Sequence, residues 1–450
     1  MFRGGRYSKP VFAHQLYLAR LVPQALDPMR SLLAAFVLAA MPAVAQDATT
    51  PEGWWKGNLH THSLWSDGND FPDMIADWYK ARGYHFLALS DHNILADHDK
   101  WMQVDLVVRR GGRKALADYR TRFGEAWVET REKDAKLEVR LKRLDEFGPL
   151  LEEPGRFLLI PAEEITDSFA KAPLHLNATN VGERIAPQGG DSVEAVLRNN
   201  LRAVIAQAQR LARPILAHVN HPNFQWAMTA EAMAHVLEER FFEVYNGHDQ
   251  VHHLGDAQRP GTERLWDIVN ALRLVELKAP PLFGVATDDC HNYHSKLGST
   301  PGRGWVMVRA DELSATALVL AMEHADFYAS SGVTLEDVTF DAKTLRLKVA
   351  AEAGVSYRTE FVGTRVGVDL SSEPTRDAEG KEMVATRTYR GEIGVVLAVV
   401  EGTAPSYALQ GDELYVRAVV TADRAHPNPS FEDQREQAWT QPVGWQRHLR

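Results

Sequence analysis

Cysteine is nearly absent, since the 450 residues contain a single one, Cys290. That count excludes an internal disulfide framework and a thiolate zinc cluster. Positive charge is in deficit as well, with 50 Lys and Arg against 60 Asp and Glu for a net charge of −10. A broad nucleic-acid-binding surface does not fit such a balance, and no polymer partner is expected. What remains is ordinary for a globular protein: 45% apolar, 24% charged and 9% aromatic residues, enough for a large core. The length suggests two or three domains, although a barrel of about 250 residues often counts as one. Any metal must be held by histidine and carboxylate.

The first 45 residues read as a region apart from the fold. After Met29 and Arg30 comes an apolar run, 32–41, followed by Ala43-Val44-Ala45. A positive start, a short apolar stretch and an A-x-A site make a secretory signal, with cleavage expected after Ala45. The run is too short to span a bilayer, so no transmembrane segment is expected after cleavage. Met29 is the simplest true start. The remaining chain carries 45 basic and 59 acidic residues, −14, and is expected to be periplasmic or secreted.

From 52 to 332 short apolar runs alternate with amphipathic stretches, the pattern of an α/β domain. Strands are expected at 57–61, 85–90, 157–161, 175–179, 214–219, 241–245, 283–287 and 305–308, with helices at 72–82, 192–212 and 261–273. Residues 97–150 form a charged insertion, in which Leu137, Leu141 and Leu144 recur at i, i+4, i+7 as a helix stripe. An insertion of that length suggests a lid or binding element. Residues 333–426 alternate with period two between turn clusters at 369–373 and 377–380, which predicts a small all-β, sandwich-like domain. Residues 427–450 read as a polar tail.

Fourteen of the 18 histidines lie between His60 and His294. Their placement at predicted strand ends is the stronger signal. His60-Thr61-His62 follows an extended segment, where residues i and i+2 point the same way. Ser66-Asp67-Gly68 places a carboxylate on a glycine turn. Later ends carry Ser90-Asp91-His92-Asn93, Glu163-Glu164, His175, His218-Val219-Asn220-His221-Pro222 and Thr287-Asp288-Asp289-Cys290-His291. In parallel α/β folds the carboxyl ends of the strands share one mouth, where active sites gather. Structural histidines placed independently would not select one end of successive strands.

In this order the motifs H-x-H, S-D-G, D-H-N, E, H, H-P and D-x-H resemble the polymerase-and-histidinol-phosphatase (PHP) superfamily over about residues 54–332. The resemblance implies a distorted (β/α)7 barrel binding two or three divalent ions. It assigns one ion to His60, His62, Glu164 and Asp289, a second to Glu164, His175 and His221, and a third to Asp67, His92 and His291. Two choices stay open. The family's A-H-P step is split here between Ala217-His218 and His221-Pro222, with His221 preferred. Glu163 and Glu164 alternate along an extended segment, so only one faces the ions, with Glu164 preferred.

Clustered divalent ions lower the pKa of a bridging water and clamp a substrate oxygen. A metal-dependent phosphoesterase acting on a small phosphomonoester or nucleotide-like diester through a metal-bridging hydroxide is the leading expectation, with Asp289 and His291 at its centre. Manganese, zinc or iron all suit the donors. Tyr245-Asn246-Gly247-His248 ends another strand, so Asn246 or His248 is expected to orient substrate or protonate the leaving group. Arg303, between glycines, and Lys296 are the cations expected to contact substrate; Lys171, Arg259 and Arg264 are further loop cations. Trp226 and Tyr293 are expected to wall the pocket, and Cys290 to be a small buried residue. Two rival readings remain: hydrolysis of carboxylic or carbamate esters at the same site, marked by an apolar aromatic wall, and a glycan- or partner-binding protein, marked by an exposed strip of Tyr357, Phe361, Tyr389 and Tyr407. The sequence leaves the oligomeric state open.

Overall fold

The structure, a computed structural model, describes residues 51 and 53–449, so the expected signal segment lies outside the described residues. All eight strands expected before residue 309 form, with shifted ends: β1 (Trp54–Asn58), β2 (Phe86–Leu89), β3 (Leu158–Phe169), β4 (Ala172–Thr179), β5 (Leu216–Val219), β6 (Phe241–Asn246), β7 (Phe283–Thr287) and β8 (Trp305–Arg309). Strands β1, β2 and β3 run parallel, β4 is antiparallel to both neighbours, and β5, β6 and β7 are parallel again. The ring of seven closes at its mouth, where Thr61 bridges Cys290 in parallel sense. There His62 N–H donates to the Cys290 carbonyl (3.0 Å) and Asp289 N–H to that of His60 (3.0 Å). The result is a mixed α/β barrel with one reversed strand.

Its interior below the mouth is filled by Leu59, Phe86, Ile160, Leu216, Phe241 and Phe283. Gly57 permits β1 to approach β2, because a Cβ there would lie 2.2 Å from the Phe86 ring. Outside, helix Val193–Leu211 starts at Ser192, whose hydroxyl accepts from Ala195 N–H (3.0 Å). It buries Val196, Leu197, Leu201 and Val204, one stripe at helical spacing. Helix Thr262–Leu272 is buried but for Glu263 and Arg264, between the barrel and the C-terminal strands.

The insertion departs from the expected helix stripe. Leu137 and Leu141 lie on strand Lys136–Leu141, the centre of a three-stranded antiparallel sheet with Lys100–Gln103 and Thr130–Lys133, and Leu144 opens helix Leu144–Leu151. The cause is the hairpin between the last two strands, whose turn residues Asp134 and Ala135 both take positive φ (50° and 57°) and fix the register. Val139 and Leu141 then share the buried face. Helices Val104–Gly111 and Ala115–Phe123 complete the insertion. Gly148, within helix Leu144–Leu151, has room for a methyl, since the nearest atom to a Cβ is Glu152 Oε2 at 3.8 Å. Gly148→Ala is therefore expected to stabilise the protein by roughly 0.5–1 kcal/mol, read as a higher urea midpoint at unchanged slope.

The C-terminal strands form a β region, as expected, but one continuous with the barrel sheet. Past β8 comes β9 (Phe327–Ser330), then Arg435–Thr440, Glu413–Ala425, Tyr357–Arg365 and Val395–Glu401. A second sheet of Leu335–Phe340, Thr344–Val349 and Ser406–Ala408 packs on it around Leu345, Leu347, Phe361 and Tyr407, a two-layer sandwich. The polar tail is thus corrected: Arg435–Thr440 pairs on both sides, and the Gln441 side chain exchanges hydrogen bonds with Gly284 N–H and C=O (both 2.9 Å) on β7. Polar residues conceal this strand because their side chains bond to neighbouring strands, Gln437 to Thr421 and Thr440 to Ala418 N–H.

Candidate metal centre

Each strand end delivers its side chain for a local reason. His60 and His62, two apart on the extension of β1, both turn inward and are fully buried. The next turn brings Asp67 back over them, and Gly68 permits it, since a Cβ there would lie 2.4 Å from the His62 carbonyl. Asp91, absent from the expected site, organises that turn: it accepts from Ser63 N–H (2.8 Å), Ser66 N–H (3.0 Å) and both serine hydroxyls (2.7 and 2.5 Å). His92 is then free to face the centre. The insertion buttresses the same turn from outside, with Leu64, Trp65 and Phe71 in its core and Arg110 donating to the Ser66 carbonyl (2.6 Å).

Glu164 is the hub. Its carboxylate lies 3.5 Å from His60 Nε2, 3.4 Å from His62 Nε2, 2.7 Å from His92 Nδ1, 2.9 Å from His175 Nδ1 and 3.7 Å from His221 Nε2. Asp289 lies 3.2 Å from both His60 and His62 Nε2 and 3.6 Å from His291 Nδ1. Asp67 lies 3.4 Å from His92 and from His291. All nine expected ligands therefore converge. His175 reaches the mouth from the first half of β4 because that strand is reversed. His221 (φ 26°) and Asp289 (φ 46°) hold left-handed backbone conformations that are costly for non-glycine residues. His221 N–H is pinned by Glu243 Oε2 at 2.8 Å.

The members of each open pair face different ways, and His218 keeps a candidate group of its own with His60 and Glu243. His221 faces Glu164 and Asp289, whereas His218 lies behind, 3.3 Å from Glu243. Glu163 points the other way and accepts from Ile185 N–H (2.5 Å), and burial pushes its carboxyl up to about 7.

The donors fit divalent ions. Within each of the groups His62/Asp67/His92/His291, His60/His62/Glu164 and His92/Glu164/His175 the ligand atoms lie within 4.8 Å of one another. His62, His92 and Glu164 belong to two groups each, as bridging or neighbouring sites require. The Nε2 atoms of His60 and His62 face each other at 3.1 Å, and Glu164 Oε2, His175 Nδ1 and His221 Nδ1 are buried without a hydrogen bond. Glu164 and His175 thus carry buried lone pairs at the centre that no hydrogen-bond donor satisfies, which suits a cation. Burial, with the His291 charge adding to it, lowers His62 to about 4, leaving a neutral imidazole fit to ligate. Burial would raise the Glu164 and Asp289 carboxyls, yet the imidazoles around them hold both well below the carboxylate range.

Behind the ligands lies a second set of groups that the sequence reading missed. Buried Glu243 accepts from His60 Nδ1 (2.7 Å), Thr287 Oγ1 (2.7 Å) and Asn246 Nδ2 (2.7 Å). Asn220 donates to Glu164 Oε1 (2.8 Å). Glu243 was legible as the lone charge in the apolar strand Phe241-Phe242-Glu243-Val244-Tyr245. A carboxylate on the far nitrogen fixes a ligating histidine's tautomer and ring. Glu243→Gln is expected to weaken metal affinity 10–100-fold while leaving the circular dichroism spectrum unchanged, measured by competition with a chelator of known affinity.

The expected substrate contacts fare differently. Arg303 is corrected: it is 3% exposed, and its guanidinium donates to the carbonyls of Gly247 (2.6 Å), Asn428 (3.2 Å) and Pro429 (3.1 Å). The glycines expected to admit a ligand instead let this loop fold onto Asp288, which accepts from Gly302, Arg303 and Gly304 N–H. Asn246 is fully buried and donates to Glu243 and to Asp289 (3.1 Å), so it positions ligands and does not reach substrate. Lys296 is exposed on the loop after His291. His248 lies at the mouth, its ring 5.6 Å from those of His291 and Phe224. Its Nδ1 accepts from Gln250 N–H (3.1 Å), so Nε2 carries the proton. Cys290 is buried, as expected. Tyr293 caps the H-x-H segment through its hydroxyl, which donates to the His62 carbonyl (3.1 Å), and Trp226 stacks on His252 at 4.3 Å.

No protein-family model and no curated protein matches the sequence. Solved structures are similar to it. A two-domain protein from Bacteroides vulgatus containing a predicted PHP-like metal-dependent phosphoesterase shares 14% identity at TM-score 0.38, over 88% of this chain and 97% of its own. A protein from Bifidobacterium adolescentis named a metal-dependent phosphoesterase shares 12% at TM-score 0.28, over 54% and 90%. An amidohydrolase from Chromobacterium violaceum, with bound sulfate and no metal, shares 14% at TM-score 0.25, over 55% and 88%. The first is named for the family that the sequence motifs resemble; at these identities and scores none of the three assigns a role to a residue of this chain.

Proposed function

We propose that the protein is a metal-dependent hydrolase of phosphate esters, with two or three divalent ions held by His60, His62, Asp67, His92, Glu164, His175, His221, Asp289 and His291. The convergence of five buried or half-buried imidazoles on Glu164, with Asp289, His291 and the more exposed Asp67 beside them, carries this reading. When bound, such ions supply Lewis acidity and activate water near neutral pH. Three ligand carboxylates and Glu243 behind them are balanced by two divalent ions and outweighed by three, so a three-ion site is net positive without arginine or lysine. That excess suits a phosphate ester. His248 presents Nε2–H at the mouth, placed to donate to a substrate oxygen or a leaving group, and Glu243 with Asn246 keeps His60 and Asp289 in register.

The ester-hydrolase rival draws on one observation, the aromatic rim formed by Phe224 against His221 and His248 (5.1 and 5.6 Å). The binding-protein reading loses its expected sign: Tyr357, Phe361 and Tyr407 are core residues, and Tyr389 is half-buried with its hydroxyl on Glu231 (2.8 Å). Purified protein tested on a phosphomonoester, a phosphodiester and a carboxylic ester, with His60→Ala as control, decides the class. Metal-dependent cleavage of a phosphate ester supports the proposal, and turnover of the carboxylic ester alone transfers it to the rival. Export is part of the same reading. Expressed with its natural N-terminus in a Gram-negative host, the mature chain is expected to begin at Gln46, as N-terminal sequencing would read; an intact N-terminus in the cytoplasm contradicts this.

A further inference from the structure

The space between β2 and β3 and their covering helix forms a cavity outside the barrel, behind the segment that carries Asp91 and His92. Helix Leu144–Leu151 has only eight residues, with Pro149 near its end and Gly148 facing inward without a side chain. At 1.5 Å per residue it is about 12 Å long. The cavity has a volume of about 580 Å3 and is walled by Leu87, Leu89, Leu95, Leu144, Leu159 and Val181. That volume lies in the range of small-molecule sites.

Its polar groups are unequal. Four carboxylates also border the cavity, each turned to a hydrogen bond of its own: Asp91 to two serines, Asp97 to His98 (2.8 Å), Glu152 to Leu159 N–H (3.0 Å), and Asp145 alone to a guanidinium, that of Arg143 (2.9 Å). Arg213, half-buried at one end, has only the amide oxygen of Asn180, approached by Nε at 2.8 Å and by Nη2. Among the described residues no carboxylate pairs with it, and burial holds its pKa below the ordinary value. Its Nη1 lies over Gly182, another cavity residue. A guanidinium without a counter-anion at one end of an apolar chamber calls for an anion on a hydrocarbon body.

We propose that this cavity binds a small amphipathic carboxylate, its hydrocarbon part among the leucines and its carboxylate on Arg213. The inference is independent of the reaction at the metal centre. The wall 94–97 continues directly from His92 and Asn93, so the ligand would lie against the segment that carries a metal-centre histidine.

Isothermal titration of the purified protein with octanoate, octan-1-ol and octylamine tests it. Octanoate is expected to bind at least tenfold more tightly than octylamine. Arg213→Gln is expected to remove that preference with octanol affinity unchanged, while Arg213→Lys retains it. Gly148→Leu, which places a side chain in the cavity and leaves Arg213 unchanged, is expected to abolish binding of octanoate and octanol alike, with unfolding temperature monitoring the fold. Absence of octanoate binding, tighter binding of the amine, or octanoate affinity indifferent to Arg213→Gln or Gly148→Leu would each overturn the proposal.

Discussion

Glu164→Gln is expected to lower kcat about a thousandfold on whichever ester the wild-type protein cleaves fastest. The substitution keeps the shape of the side chain and removes the one charge that five imidazoles surround. Charge stabilisation at a metal centre contributes several kcal/mol to a hydrolytic transition state, and 1.36 kcal/mol is a factor of ten in rate. Because Glu164 belongs to two of the candidate metal groups, its loss should also lower metal content per chain, whereas loss of His175 alone should affect one group. Steady-state kinetics and metal analysis on the same sample check both. Activity within tenfold of wild type at full metal content would remove Glu164 from the centre.

Arg417→Ala is expected to destabilise the fold by roughly 3–5 kcal/mol, the cost of leaving a buried charge unpaired. Arg417 projects from the C-terminal strand Glu413–Ala425, with its guanidinium 3.0 and 2.8 Å from the two oxygens of Asp267 on helix Thr262–Leu272. Both residues are buried, and Tyr415 donates to the same carboxylate (2.7 Å). Removing the arginine therefore strands Asp267 between barrel and β region. Replacing the pair together, Arg417→Met with Asp267→Leu, should recover much of the loss, since apolar groups of similar volume commonly replace such pairs at little cost. Urea unfolding of the two single variants and the double variant measures this coupling. A single-variant loss below about 1 kcal/mol would mean that the β region is not anchored here.

The barrel and its candidate metal centre were legible because their signal is periodic and additive. Each strand is an apolar run with a polar terminus, and imidazoles and carboxylates at successive termini could serve only one mouth. The reversed strand β4 was not legible, because an apolar run carries no direction. The helix stripe misread at Leu137–Leu144 shows a related limit: i, i+4 spacing on a short segment fits a strand as well once a hairpin fixes the register. Arg303 and Asn246 misled for the opposite reason. A polar residue near a mouth can serve backbone carbonyls or ligand carboxylates as readily as substrate, and only burial separates the two cases. The strand Arg435–Thr440 was hidden because its contacts are hydrogen bonds to distant strands, which leave no local hydrophobic pattern.

Metal content per chain tests the central claim most directly. Protein purified without chelator and dialysed against metal-free buffer, measured by mass spectrometry of the elements beside His60→Ala and Glu164→Gln, should hold two or three divalent ions per chain in the wild type and fewer in both variants. A wild-type content below one ion per chain after supply of manganese, zinc and iron, with the fold intact, would contradict the account.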